Sequence, residues 1–233
     1  MRVAVIGAGL VAKTFHVPAF LACPGVEISA VYDRRLEKAE ALAAPLGAKA
    51  FTDYGELLRS GAADAVTICT RTDMHCSMAV QAAKAGKHIF LEKPMATSAA
   101  EAKEICEETE RAGVTFMLGM LNRFRTESLI LTERREAGLM GDIYHADARW
   151  IRRRGIPSNG WFVQKALSGG GAGIDIGVHA IDTAWYLMGS PEPVAVSAVT
   201  HSRLGDAGAR GMSSWGTCLL YTSPSPRDRS LSR

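Results

Sequence analysis

The chain has 233 residues, 47% hydrophobic and 22% charged, the balance of an ordinary globular protein with length for one large domain or two small ones. Its net charge of +3 is small and spread along the sequence, which gives no footing for nucleic-acid binding. No apolar run approaches the roughly 20 residues of a membrane-spanning helix, and Met1-Arg2 leads straight into Val3–Gly7, too soon punctuated by glycine for a signal peptide.

Up to about residue 120, short β-rich runs alternate with longer helical ones. Arg2–Gly7, Glu27–Asp33, Ala65–Cys69, His88–Leu91 and Val114–Leu118 read as buried strands. Several are almost continuously apolar, as a parallel sheet covered on both faces requires. Val11–Ala22, Leu36–Leu46, His75–Ala85 and Ala99–Ala112 are alanine-rich with helical spacing, and Ser98-Ala99-Ala100-Glu101 is a capping-box signature. This alternation predicts an α/β fold with an N-terminal doubly wound parallel sheet of the Rossmann type over residues 1–120.

From residue 121 the texture changes. Asn122–Ala137 reads as a charged helix, Asp142–Arg152 as a strand with Tyr144, Ala146, Ala148 and Trp150 alternating, and Ser168–Gly173 as a glycine-dense loop. Ile174–Met188 reads as a helix and Val194–Thr200 as a strand. Residues 121–217 are therefore expected to be an incomplete α+β open-sheet domain, since two strands and a helix cannot shield a sheet. Residues 218–233 lose all periodicity and are expected to be disordered. CLLYTSPSPRD resembles the in-frame translation of a common transposase sequencing adapter, which would place the end of the gene-encoded part near Thr217. Cys23, Cys69, Cys76, Cys106 and Cys218 are odd in number and scattered without a CxxC pair, so neither metal-ligand spacing nor a disulfide framework is present. Reduced thiols in a cytoplasmic protein are expected.

Gly7-Ala8-Gly9-Leu10-Val11-Ala12 is a GxGxxA fingerprint between a strand and a helix. Gly7 permits the tight turn and Gly9 lets backbone approach a pyrophosphate, while Leu10 and Val11 open a helix whose N–H groups face it. Asp33 ends the second strand, where a carboxylate accepts bonds from the adenine-ribose hydroxyls. Asp33 favours NAD by repelling a 2′-phosphate. Arg34 and Arg35 follow and are able to pair with that phosphate, so NADP stays open beside the alternative that they begin a solvated helix.

With that fingerprint in place, Glu92-Lys93-Pro94 after the fourth of those strands and GGAGIDIGVHAID over 170–182 resemble the Gfo/Idh/MocA family, named for glucose–fructose oxidoreductase, inositol dehydrogenase and a rhizopine-catabolism protein. His16-x-Pro18, the Thr70–His75 segment and Asn122-Arg123-Phe124 add to the resemblance, which spans residues 2 to about 216. It implies a Rossmann domain followed by an open-sheet domain that carries substrate specificity, a homo-oligomeric parent protein, and hydride transfer between nicotinamide C4 and a sugar or cyclitol carbon. Catalytic roles then fall on Lys93, Asp175 and His179, and further cofactor contacts on Thr70, His75, Glu92 and Lys93. Membrane and nucleic-acid partners are not expected.

Residue chemistry agrees with those roles. Oxidising a secondary alcohol needs a base for the hydroxyl proton, and an imidazole of ordinary pKa about 6.5 suits that work. Asp175 lies four positions before His179, on one face if the segment is α-helical, and would orient the ring or grip a neighbouring hydroxyl. Lys93, beyond a strand end, would polarise the reacting oxygen. Arg123 and Arg125 are candidates for cofactor or substrate contact, or form a salt-bridged helix start. Arg152-Arg153-Arg154 with Trp161 would hold an anionic or polyhydroxylated substrate, or are a solvated strand end and a core indole. His16 reads as structural or cofactor-proximal, as His75 also would without the resemblance, and His145 and His201 as structural. Pro94 is a rigid-turn candidate whose isomer the sequence leaves open. Redox-neutral, NAD-assisted glycoside cleavage and a non-catalytic nucleotide-binding protein remain as alternative functions.

Overall fold

A computed structural model describes residues 1–151, 161, 164–201, 211–213 and 216–218. The chain divides into two units, Met1–Leu121 with Ala166–Gly170, and Asn122–Lys165 with Gly171–Arg233. In the first, β1 (Arg2–Ile6), β2 (Glu27–Tyr32), β3 (Lys49–Phe51), β4 (Ala65–Ile68), β5 (His88–Leu91) and β6 (Phe116–Leu118) form one sheet in the order β3-β2-β1-β4-β5-β6. Every pairing is parallel. This is the doubly wound order, with its reversal between β1 and β4.

Alternation along β1 explains why both faces are covered. Ala4 and Ile6 pack with Tyr54 and Leu57 of α3 (Tyr54–Arg59), Ala79 of α4 (Thr72–Lys84) and Ile105 of α5 (Ala99–Ala112). Val5 points the other way, onto Ala12, Val17 of α1 (Val17–Leu21) and Ala43 of α2 (Leu36–Ala43). The predicted capping box forms: Ser98 Oγ accepts the Glu101 N–H at 3.2 Å. The Glu101 carboxylate reaches one residue further back than expected, accepting the Thr97 N–H at 2.9 Å and the Thr97 hydroxyl at 2.5 Å.

Three features differ from the sequence expectation. Neither β3 nor α3 was foreseen, because a three-residue strand is too short to show periodicity; β3 exists by pairing with Ala30–Tyr32, and Asp53 Oδ1 caps α3 by accepting the Glu56 N–H at 2.6 Å. The first helix opens with a π-turn, Ala12–His16, before α1. The helix expected from His75 begins at Thr72.

The second unit holds α6 (Thr126–Glu136), which follows a 3-10 turn at Leu121–Phe124, and α8 (Val178–Leu187), which continues a π-turn at Gly173–Gly177. Between them in sequence lies the short α7 (Lys165–Ser168), of which Ala166–Ser168 belong to the first unit. β7 (Gly211–Ser213) and β8 (Gly216–Cys218) form an antiparallel pair that the sequence analysis did not name. The strands expected at 142–152 and 194–200 are corrected: residues 142–151 and 194–200 join no ladder among the described residues. Tyr144 is 94% exposed and Val194 97%, so the alternation is present while the partner strand that would turn it into sheet is not found among the described residues. Of the tail expected at 218–233, Cys218 pairs with Gly211, and residues 219–233 lie outside those described. Among the described residues no helix is long and apolar enough to cross a membrane.

Candidate active site

The carboxyl edge of the first unit's sheet is held level by ladder bonds that run one residue past the strands. Cys69 N donates to Ile6 O at 2.8 Å, Glu92 N to Ile68 O at 3.0 Å, and Gly119 N to Leu91 O at 2.7 Å. Gly7 leaves β1 at this edge with φ +98, a conformation that favours glycine. A Cβ there would lie 3.0 Å from Cys69 O and 3.2 Å from Thr70 Cγ2, so β1 and the turn after β4 approach as closely as a bare backbone allows. Gly9 is the opposite case, since a Cβ on it would meet nothing within 4 Å.

Asp33 reaches across to the glycine turn. Its Oδ2 accepts the Ala8 N–H at 3.1 Å and its Oδ1 the Arg35 N–H at 3.0 Å. The carboxylate predicted to meet a ribose is thus also the clamp that holds the fingerprint to β2. Nearby, Thr70 Oγ1 is buried with no hydrogen-bond partner, which buried hydroxyls ordinarily have. An open backbone at Gly9, an orphaned hydroxyl at Thr70 and an oriented carboxylate at Asp33 fit a dinucleotide. Gly7, Gly9, Asp33 and Thr70 therefore share one edge, with Leu10 and Val11 beginning the helical run and Arg34 exposed beside Asp33.

At the end of β5, Glu92 Oε2 accepts the Lys93 N–H at 3.1 Å and Glu92 Oε1 lies 2.7 Å from His16 Nε2. Burial by itself would raise the Glu92 carboxyl, but the His16 hydrogen bond and charge, with the Lys93 amide and ammonium, hold it below its ordinary value. The Lys93-Pro94 peptide is cis. His75 is buried, with Nδ1 2.8 Å from Pro94 O and Nε2 3.2 Å from Thr70 O, so it ties the Glu-Lys-Pro loop to the turn after β4. Burial lowers its pKa, against the pull of both carbonyls, and in its neutral form the ring has one N–H to donate to one of the two. Burial also pushes the Cys69 thiol up to about 12, despite a hydrogen bond shared with Thr67 Oγ1 at 3.8 Å, which rules it out as a nucleophile.

In the second unit, Asp175 lies within the π-turn and His179 in the first turn of α8. The segment that joins them runs from a π-turn into α8, where the sequence suggested α-helix throughout. His179 is buried, its carbonyl accepts the Thr183 hydroxyl at 2.7 Å, and its ring lies 6.3 Å from that of Trp150. Arg123 is committed to Asp182 through Nε at 2.9 Å and Nη2 at 2.5 Å, and stands over the Tyr186 ring at 5.0 Å. That geometry favours the salt-bridged alternative for Arg123. Trp161 is half-buried, and Arg152 lies outside the described residues.

Residues 1–120 match the oxidoreductase family with an NAD-binding Rossmann fold, GFO/IDH/MocA, and residues 130–223 match the GFO/IDH/MocA C-terminal domain. The chain belongs to this family. It is 36% identical over 206 residues to D-glucoside 3-dehydrogenase of Escherichia coli strain K12, covering 88% of this chain and 59% of that protein. It is 33% identical over 206 residues to scyllo-inositol 2-dehydrogenase (NAD(+)) of Bacillus subtilis strain 168, covering 88% and 58%. An NAD-binding protein from Listeria innocua superposes with a TM-score of 0.70 at 33% identity, covering 80% of this chain and 54% of that one. The chain thus spans less than two thirds of the length of these relatives.

Within this Gfo/Idh/MocA chain, two contributions escaped the sequence analysis. Asp182 was quoted in a motif but given no role, although an acid three residues after His179, on the same side of the helix, was a signal that something cationic faced it. Thr67 inside the apolar run of β4 was the other signal, because a fully buried hydroxyl demands a partner.

Proposed function

We propose that this chain is part of an NAD(P)-dependent oxidoreductase that exchanges a hydride between nicotinamide C4 and a secondary-alcohol carbon of a sugar or cyclitol. The observation that carries the reading is the glycine turn at the β1–β4 reversal, with Gly9 open, Thr70 Oγ1 unpartnered and Asp33 clamped to Ala8. Relatives named as glucoside and inositol dehydrogenases support the substrate class. A small polyhydroxylated substrate, a cytoplasmic location and a homo-oligomeric parent complete the proposal.

When bound, the dinucleotide supplies a ring able to accept or return a hydride. The protein's part is binding, orientation and proton handling. Gly7, Gly9 and the helical run after them receive the pyrophosphate, and Asp33 the adenine ribose. His179 removes the hydroxyl proton in oxidation and returns it in reduction. Lys93 donates to the reacting oxygen and favours its developing negative charge. Asp175 orients the imidazole or holds a neighbouring hydroxyl.

The test supplies the full-length parent protein with NAD+ or NADP+ and a panel of free inositols, aldoses and glucosides, and follows reduced nicotinamide. Net reduction with a free polyol, lost about 100-fold or more in Lys93→Ala, is the expected result. Glycoside cleavage without accumulating NADH would instead establish redox-neutral chemistry. A Lys93→Ala variant as active in the cell as the parent, beside an inactive Gly9→Asp, would reduce the role to nucleotide binding.

A further inference from the structure

Thr67 is the polar exception in a strand buried on both faces, and it is 0% exposed. Its hydroxyl lies 2.9 Å from His16 Nδ1, and the opposite ring nitrogen, Nε2, lies 2.7 Å from Glu92 Oε1. The other carboxylate oxygen, Oε2, accepts the backbone N–H of Lys93. Protons satisfy the whole chain when Nε2–H donates to an ionised Glu92 and Glu92 accepts from Lys93, with the Thr67 hydroxyl donating to Nδ1 of a neutral ring or accepting from Nδ1–H of a charged one. The ring is wedged against Phe90, edge-on at 5.4 Å between centroids, and tilted to Phe20 at 6.3 Å. His16 ends the π-turn Ala12–His16, the widened turn that sets where this imidazole points.

We infer that His16 is a positioning residue for Lys93: by fixing the Glu92 carboxylate it fixes the Lys93 amide, and with it the start of the lysine side chain. This rests on the proposal that Lys93 acts on the reacting oxygen. The titratable groups that act on Glu92 are His16 from the π-turn, Lys93 next in sequence, His75 from α4 and Cys69 after β4. Burial pushes the Cys69 thiol up to about 12, and both ring nitrogens of His75 face the Pro94 and Thr70 carbonyls, so neither can replace the bond from His16. Without that bond a mostly buried carboxyl gains from protonation, and its grip on the Lys93 amide weakens.

The experiment uses the 15N-labelled full chain and follows hydrogen exchange and the pH-dependent shift of the Lys93 amide in the parent, His16→Gln, His16→Asn and His16→Leu. Gln places an N–H donor near the Nε2 position and is expected to keep exchange within about threefold of the parent. Asn and Leu remove the donor, and Lys93 exchange should speed about tenfold, with the Glu92 transition moved to higher pH. The Ile89 and Leu91 amides of β5 should not change. An unaltered Lys93 amide in the Asn and Leu variants, a Gln variant that behaves like Leu, or uniform acceleration across β4 and β5 would each overturn the inference. Failure of the underlying reading is distinguishable, because it would show as undiminished turnover in Lys93→Ala while the amide results stand.

Discussion

Gly7 and Gly9 are two positions apart in one motif, and the structure assigns them opposite sensitivities to a single methyl group. At Gly7 an alanine must adopt φ +98 and place its Cβ 3.0 Å from Cys69 O, a backbone atom of the residue whose N–H is bonded to Ile6 O. The backbone penalty is about 1–3 kcal/mol, and relieving the contact moves the turn after β4. A total near 3 kcal/mol follows, a fall in Tm of about 6–12 °C for a chain of this size. At Gly9 the added Cβ meets nothing within 4 Å, so the free protein should hold its stability within about 0.5 kcal/mol. The same methyl occupies space that a pyrophosphate would approach, and NADH affinity should fall at least about tenfold. Thermal denaturation without ligand, paired with titration of NADH fluorescence, separates the two. Equal destabilisation by both substitutions, or unchanged affinity in Gly9→Ala, would refute the reasoning.

Two more outcomes follow from pairings across each unit. Asp33→Asn removes the charge and keeps one of the two oxygen acceptors that serve the Ala8 and Arg35 amides, so the NADPH-to-NADH affinity ratio should rise about tenfold at a stability cost of about 1 kcal/mol; Asp33→Ala loses both acceptors and should cost about 1 kcal/mol more by freeing the glycine turn. Paired titrations and melts check this, and an unchanged ratio in the Asn variant counts against Asp33 as the discriminating group. Asp182→Ala strands Arg123 against Tyr186 and should cost the second unit about 2 kcal/mol, a figure reduced because the arginine side chain is 30% exposed. Denaturant unfolding of Asp182→Ala and of Arg123→Met with Asp182→Leu tests it; the double variant should recover part of the loss.

Much of the first unit was legible because its strands are buried on both faces. RVAVI and AVTI read as continuous apolar runs, and the helices between them carry caps such as Ser98. The glycine fingerprint and Asp33 were legible for a related reason: a tight turn and a ribose contact each require one residue type at one offset. Tyr144–Trp150 and Val194–Val199 misled because alternation is a property of the segment, whereas a ladder is a property of two segments. Short β3 failed in the other direction, since three residues hold no period but do find a neighbour.

What the amino-acid order determined by itself was local: which stretches bury, where helices begin, and where the backbone must do without a Cβ. What only the tertiary structure decided was which distant groups share a hydrogen bond. Thr67, His16 and Glu92 are far apart in sequence, and their meeting depends on β4 and β5 lying side by side and on a helical run that widens into a π-turn at Ala12–His16. A buried polar atom announces that it needs a partner, but burial is satisfied by any donor the fold brings near, and the chain order does not say which one arrives.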